Sequence, residues 1–207
     1  MQIIKHRDSV NPKLLAVLHS LMTNPAFDSF SLAGGTSLSL RFGHRTSVDI
    51  DLFSREPFDS MLLQTRIAAL FLESQILNRT EGSLCVNAGG IKIDHLYHPY
   101  PLLERIETEG ALRIMSVPDV SAMKINAVTN RGSKKDFIDL YALHLNGIKL
   151  NQSINHFCRK YTGNKFLAIR SLLWLQDADE EPDPLFLNGW TWALVREKML
   201  HLAETLE

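Results

Sequence analysis

From Ser47 to Phe53 the chain alternates between polar and apolar side chains, with Val48, Ile50 and Leu52 set against Ser47, Asp49 and Asp51. Successive side chains on an extended strand point to opposite faces, so a period of two predicts a half-buried strand here and argues against a helix. If Val48, Ile50 and Leu52 face a core, Asp49 and Asp51 project together from the other face. Upstream, Phe30 to Ala33 reads as a short buried strand that runs into Gly34-Gly35-Thr36. A helix carrying Leu38, Leu40 and Phe42 follows and ends near Gly43. Strand, glycine-rich junction, helix and acidic strand therefore lie within two dozen residues of one another.

The rest of the chain falls into two styles. Asn11 to Thr23 predicts a helix, and Ser60 to Asn78 a long amphipathic one. Ser83–Ala88 and Ile91–Leu96 flank Gly89-Gly90, which predicts a hairpin. After Pro118 strand signals stop. Helices are predicted over Pro118–Asn130, Lys134–Asn146, Ser153–Tyr161, Lys165–Leu175 and Trp190–Leu206, with an acidic, proline-broken loop over Asp177–Pro184. The expectation is an α+β chain with a mixed α/β lobe over residues 1–117 and a helical lobe over 118–207. No run reaches the roughly 18 apolar residues of a membrane span, and the first residues lack the apolar stretch of a signal peptide. Cys85 and Cys158 are far apart in sequence, which fits small core residues of a reduced, cytoplasmic protein rather than a disulfide scaffold.

The acidic strand and the glycine junction suggest one chemistry. Magnesium prefers carboxylate oxygens and keeps its other positions for water and phosphate, so Asp49 and Asp51 are candidate metal ligands. Gly34, Gly35 and Thr36 open a helix, where backbone amides and a hydroxyl suit a phosphate. Asp94, on the polar face of Ile91–Leu96, is the candidate third carboxylate that two-metal phosphoryl transfer uses. Lys124 lies inside the apolar stripe of its helix, so it either snorkels out or meets an anion such as a nucleotide phosphate. Ser133 and Asp136 have capping-box spacing, which makes Asp136 structural first and Asp139 the better functional candidate. Arg131, Lys134 and Lys135 crowd a helix start, as either a polyanion contact or a solvated turn. His44-Arg45 is either a phosphate contact or a surface loop. The net charge of −1 means that any nucleic-acid contact must come from a local patch.

Leu32 to Phe53 (LAGGTSLSLRFGHRTSVDIDLF) and Asp119 to Leu140 (DVSAMKINAVTNRGSKKDFIDL) together resemble the AbiEii/AbiGii toxin family of nucleotidyltransferases, within the DNA polymerase β-like superfamily. Gly35-Thr36 stands where many superfamily members have glycine–serine, with the hydroxyl kept. The resemblance implies a polymerase β-like mixed sheet with helices, followed by a helical lobe. It implies transfer of a nucleotide from an NTP with one or two Mg²⁺ ions, and a toxin-like or abortive-infection role beside a separate antitoxin protein. RNA, tRNA in particular, is the implied acceptor. By the same match Asp49 and Asp51 are metal ligands, Thr36 is a phosphate contact, and Lys124 and Asp139 are further active-site residues. Two other readings remain: transfer of AMP onto a protein, and a nucleotide-binding module without turnover.

Overall fold

A computed structural model describes residues 2–206. The chain forms two compact units. The first holds the residues up to Arg41, Ser47–Tyr100 and Ile106–Met115; the second holds Phe42–Thr46, Pro101–Arg105 and the described residues from Ser116 on.

The first unit is built from helix α1 (Pro12–Met22), strand β1 (Phe30–Leu32), helix α2 (Gly34–Phe42), strand β2 (Asp49–Ser54) and helix α3 (Ser60–Leu70). Strands β3 (Gln75–Thr80), β4 (Ser83–Ala88), β5 (Ile91–Tyr97), β6 (Glu107–Glu109) and β7 (Leu112–Ile114) complete it. The seven strands form one sheet in the order β3-β4-β5-β2-β1-β7-β6. It is mixed, because β2 runs parallel to β5 and β1 parallel to β7 while the other pairs are antiparallel.

Alternation divides the sheet chemically. Ile50 and Leu52 of β2, Leu84 and Val86 of β4 and Ile93 of β5 are buried in one core with Leu14, Leu18 and Leu21 of α1 and Leu63 and Ile67 of α3. Each such side chain contributes roughly 1.5–3 kcal/mol relative to exposure. On the strands' other face lie the half-buried Asp49, Asp51, Asp94 and Cys85.

Several sequence expectations need correction. Val48 is 59% exposed and Ser47 is buried, so the inward–outward alternation begins only at Asp49. The long helix predicted over Ser60–Asn78 stops at Leu70, and Gln75–Thr80 is instead a strand. There the backbone gains a ladder with β4, and Gly82 completes the turn between them. This is an edge strand exposed along its whole length, so no burial pattern marks it in the sequence. The β6–β7 hairpin around Gly110 was not expected either.

The second unit contains helices α4 (Val117–Asn130), α5 (Lys134–Leu145), α6 (Leu150–Tyr161), α7 (Lys165–Leu172), α8 (Gln176–Asp179) and α9 (Trp192–Glu204). α4 packs against α5, α6 and α7. Ser116 caps it by accepting from the Asp119 amide at 3.2 Å, and Pro118 sits in its first turn, where a missing N–H is harmless. The core gathers Ile125, Val128, Phe137, Leu140, Ile154, Phe157, Val195 and Met199. A buried ion pair, Lys160 to Asp119 at 2.7 Å, ties in the 101–105 segment. Asp119 accepts from the amides of Leu103 and Glu104, and Lys160 donates to the Pro101 carbonyl. α8 forms a helical turn where the acidic loop was expected to begin.

Candidate active site

The acidic strand is placed by its neighbours. β1 leads directly into α2, and the Ala33 amide donates to the Asp51 carbonyl at 3.0 Å. Gly34, at the turn, has φ of +64°. A Cβ on Gly34 would lie 2.2 Å from Asp51 Oδ2 and 2.9 Å from its Cγ, so the absence of a side chain lets the Asp51 carboxylate lie against the start of α2. The amides that open α2 have no carbonyl four residues back within the helix, which suits that end to an anion. The Thr36 hydroxyl is buried. It donates to the Asp49 carbonyl and lies 2.7 Å from the Ser47 hydroxyl, so it clamps the first turn of α2 to the start of β2.

Asp49 and Asp51 share one face of β2. In the parallel register with β5, Asp51 stands beside Asp94 and Asp49 beside Lys92. The Lys92 ammonium donates to the Asp94 carboxylate, which holds the ammonium pKa above its ordinary value. Cys85 on β4 stands beside Asp94 from the other side. Burial, then the hydrogen bond to Asp94, pushes its thiol up to about 11, so it stays protonated near neutrality. Neither cysteine is a core residue, contrary to expectation: both are half-buried. Among the described residues no three His, Cys, Asp or Glu side chains converge as a complete metal cage. Magnesium does not need one, since one or two carboxylates plus substrate phosphates are its usual set. Asp49 and Asp51 are two carboxylates on one strand face, the kind of pair that could hold it.

The second unit holds a buried network of charges. Lys124 of α4 contacts two carboxylates of α5, Asp136 at 2.9 Å and Asp139 at 2.6 Å. Arg45 grips Asp139 with Nε and Nη2, each at 2.8 Å, and donates to the Thr46 carbonyl. His44 Nε2 meets the same carboxylate at 2.8 Å, and Arg131 reaches Asp136 at 3.0 Å. Burial alone would raise the Asp139 carboxyl; Arg45, then Lys124, override it and hold the group well below the usual carboxylate range. Burial works against the Lys124 ammonium too, but Asp136 and Asp139 leave its pKa raised. His44 is shifted down by its burial, which Asp139 opposes only in part. The Asp139 carboxylate can only accept, so the hydrogen of that bond belongs to His44 Nε2.

The anions that meet Lys124 within this unit are thus protein carboxylates. Arg45, read as either a phosphate contact or a loop residue, is buried on Asp139. The Ser133–Asp136 capping box does not form: the Ser133 side chain makes no cap bond, and the Asp136 carboxylate serves Lys124 and Arg131 instead. Lys134 also departs from expectation. It is buried, donates to the Glu181 carbonyl and to Asp183 at 2.8 Å, and lies 5.1 Å from the Trp192 ring centroid. Its polyanion is this chain's own acidic loop. Sequence reasoning missed Asp136 and His44 as ion-network members and Lys92 as the partner of Asp94. A clue lay in Lys92-Ile93-Asp94, since residues two apart on a strand share a face.

Residues 16–83, which include α2 and the acidic strand, match the model of the nucleotidyl transferase AbiEii toxin of type IV toxin–antitoxin systems. An uncharacterized protein of Aquifex aeolicus (strain VF5) is 37% identical over 160 residues, covering 74% of this chain and 77% of that one. Among solved structures, JHP933 of Helicobacter pylori is similar with a TM-score of 0.58 at 16% identity, over 93% of this chain and 88% of that one. MenT4, a nucleotidyltransferase toxin of Mycobacterium tuberculosis H37Rv, is similar with a TM-score of 0.57 at 16% identity, over 93% and 83% of the two chains. At such identities the structural likeness establishes the fold. Together with the family match and the 37% identical relative, it shows that the chain belongs to the AbiEii family of nucleotidyltransferase toxins.

Proposed function

We propose that this chain transfers a nucleotide from an NTP to a hydroxyl of RNA, with tRNA the foremost acceptor, and that it acts as a toxin held in check by an antitoxin protein. The observation that carries this reading is the pair of carboxylates, Asp49 and Asp51, on one face of β2, with Asp51 packed against Gly34 at the opening of α2. Asp49 and Asp51 would hold magnesium, which when bound would supply charge neutralisation for the triphosphate and the leaving pyrophosphate. The first amides of α2, at Gly34, Gly35 and Thr36, cradle a phosphate. The Thr36 clamp keeps that helix start fixed relative to the two aspartates. Asp94 is a third carboxylate beside Asp51, with Lys92 orienting it. The acceptor oxygen attacks the α-phosphorus, the bond from that phosphorus to the bridging oxygen breaks, and pyrophosphate leaves. Catalysis is then mainly positioning and charge stabilisation.

Lys124, Arg45 and Asp139 serve in this reading as positioning residues, because they satisfy one another's charges within the second unit. The test is pyrophosphate release from each NTP with Mg²⁺ and total RNA. Release is expected with the wild-type chain and not with Asp49→Asn or Asp51→Asn. Normal turnover by either variant would refute the metal-pair reading.

A further inference from the structure

A cavity of about 290 Å³ opens in the second unit where the C-terminal end of α4 meets α7. That places it near the small end of ligand-binding pockets. It is lined on one side by Asn130 and Arg131 and on the other by Arg170, Ser171 and Trp174, with Asp177 completing the rim. Two guanidinium groups thus line the cavity with the Asp177 carboxylate, Arg131 also reaching Asp136 at 3.0 Å. Arg170 is exposed and makes no ion pair among the described residues. Trp174, a large ring that folding would normally bury, is 55% exposed beside it. Phe166 and Arg170 stand one turn apart on α7, Trp174 follows two residues past its end, and Phe166 is 71% exposed.

Exposed flat aromatic and guanidinium groups close together in the chain suit a ligand that carries both bases and phosphates. A base stacks on a ring with little regard to its identity, and Arg meets both phosphate oxygens and base faces. A mononucleotide would use the cavity alone and leave the exposed Phe166, which lies outside the cavity lining, without a role, and this favours a strand. With a net charge of −1, the chain has no global field to attract nucleic acid, so recognition must come from a local patch of this kind.

We infer that the cavity at the α4–α7 junction, with Trp174, Arg170 and Arg131, is a binding site for single-stranded nucleic acid. It thereby names nucleic acid rather than protein as the acceptor class, and in that respect it rests on the proposed transferase activity. The binding itself requires neither metal nor NTP, so the two are separable by experiment.

The test is a titration of the full chain with a mixed-sequence single-stranded RNA octamer in EDTA. It is followed by tryptophan fluorescence and by anisotropy of a labelled octamer, with AMP as a parallel probe. The octamer should bind, and Trp174→Ala should weaken it by about 5- to 150-fold, the range for removing one stacked base. Trp174→Phe should keep most of the affinity while losing the fluorescence change. Arg170→Ala should reduce the slope of log affinity against log salt by about 0.7. Asp51→Asn should bind like the wild type. Both tested side chains are exposed, and a melt confirms that each variant is folded. Octamer affinity unchanged in folded Trp174→Ala and Arg170→Ala would overturn the inference. So would AMP binding as tightly as the octamer, which marks a mononucleotide pocket, or loss of labelling of a protein acceptor in variants whose RNA affinity is unchanged. Absence of nucleotide transfer by a wild-type chain that binds RNA as described would refute the transferase reading alone.

Discussion

Replacing Gly34 by alanine adds one methyl group at the point where the acidic strand meets the helix start. The Cβ would stand 2.2 Å from Asp51 Oδ2, 2.9 Å from Cγ and 3.1 Å from Cβ. Turning the carboxylate relieves only the first of these, because Cγ and Cβ are also too close, so Asp51 itself must shift. A left-handed backbone on a non-glycine residue adds a cost of about 1–2 kcal/mol. At about 2–4 °C per kcal/mol for a chain of this size, the backbone cost alone lowers the melting temperature by roughly 2–8 °C. A displacement of about 1 Å at a reacting group costs on the order of 100-fold in rate. Gly110→Ala is the control, since Gly110 has φ of +59° in the β6–β7 turn and nothing within 4 Å of its added Cβ. It carries the same backbone cost without the clash. Thermal melts together with pyrophosphate release distinguish the two: both variants melt earlier, but only Gly34→Ala loses turnover. Equal turnover in both would refute the argument that Gly34 is required by the approach of Asp51.

Asp139→Asn removes the carboxylate that Lys124, Arg45 and His44 share; Lys124 keeps Asp136, but the buried Arg45 guanidinium loses its bidentate carboxylate, and a loss of about 3–5 kcal/mol is expected in chemical denaturation. A change under 1 kcal/mol would show that the network is dispensable. Burial lowers the His95 pKa from 6.5 to about 4, so the unfolded chain takes up this proton first as pH falls. Its contribution to stability is therefore complete above pH 6.5 and is lost between pH 6.5 and 4, on the order of 3 kcal/mol. The downward shift at His44 acts in the same direction. A denaturation series in which stability stays flat over that interval would contradict a neutral, buried His95. Thr36→Val removes the hydroxyl that serves the Asp49 carbonyl and Ser47, and should cost about 1–3 kcal/mol, read as a shift in denaturation midpoint.

What could be read in the sequence was whatever depends on near neighbours. Ile50 and Leu52 alternate with Asp49 and Asp51 because a single strand carries both faces, and Gly89-Gly90 marks its hairpin because the turn is local. β3 was missed because it is an edge strand whose side chains are exposed on both faces, so its hydropathy has no period to detect. Val48 fits the alternation yet lies before the strand begins. The partners of Lys124 and Arg45 were not legible for another reason. Arg45 and Asp139 are joined across a long stretch of sequence, and only the packing of α4 on α5 decides that Asp136 meets Lys124 rather than capping its own helix. Lys134 looked like part of a basic surface until the acidic loop closed over it.

The central claim is covalent transfer directed by Asp49 and Asp51. It is tested most directly by incubating the chain with each NTP labelled at the α-phosphate, Mg²⁺ and whole-cell lysate, and following the label. The account predicts that one or more NTPs leave label on a species that ribonuclease digests and protease does not, and that Asp51→Asn, folded like the wild type, leaves none. Label on protein, no label at all from folded wild-type chain, or equal labelling by Asp51→Asn would contradict it.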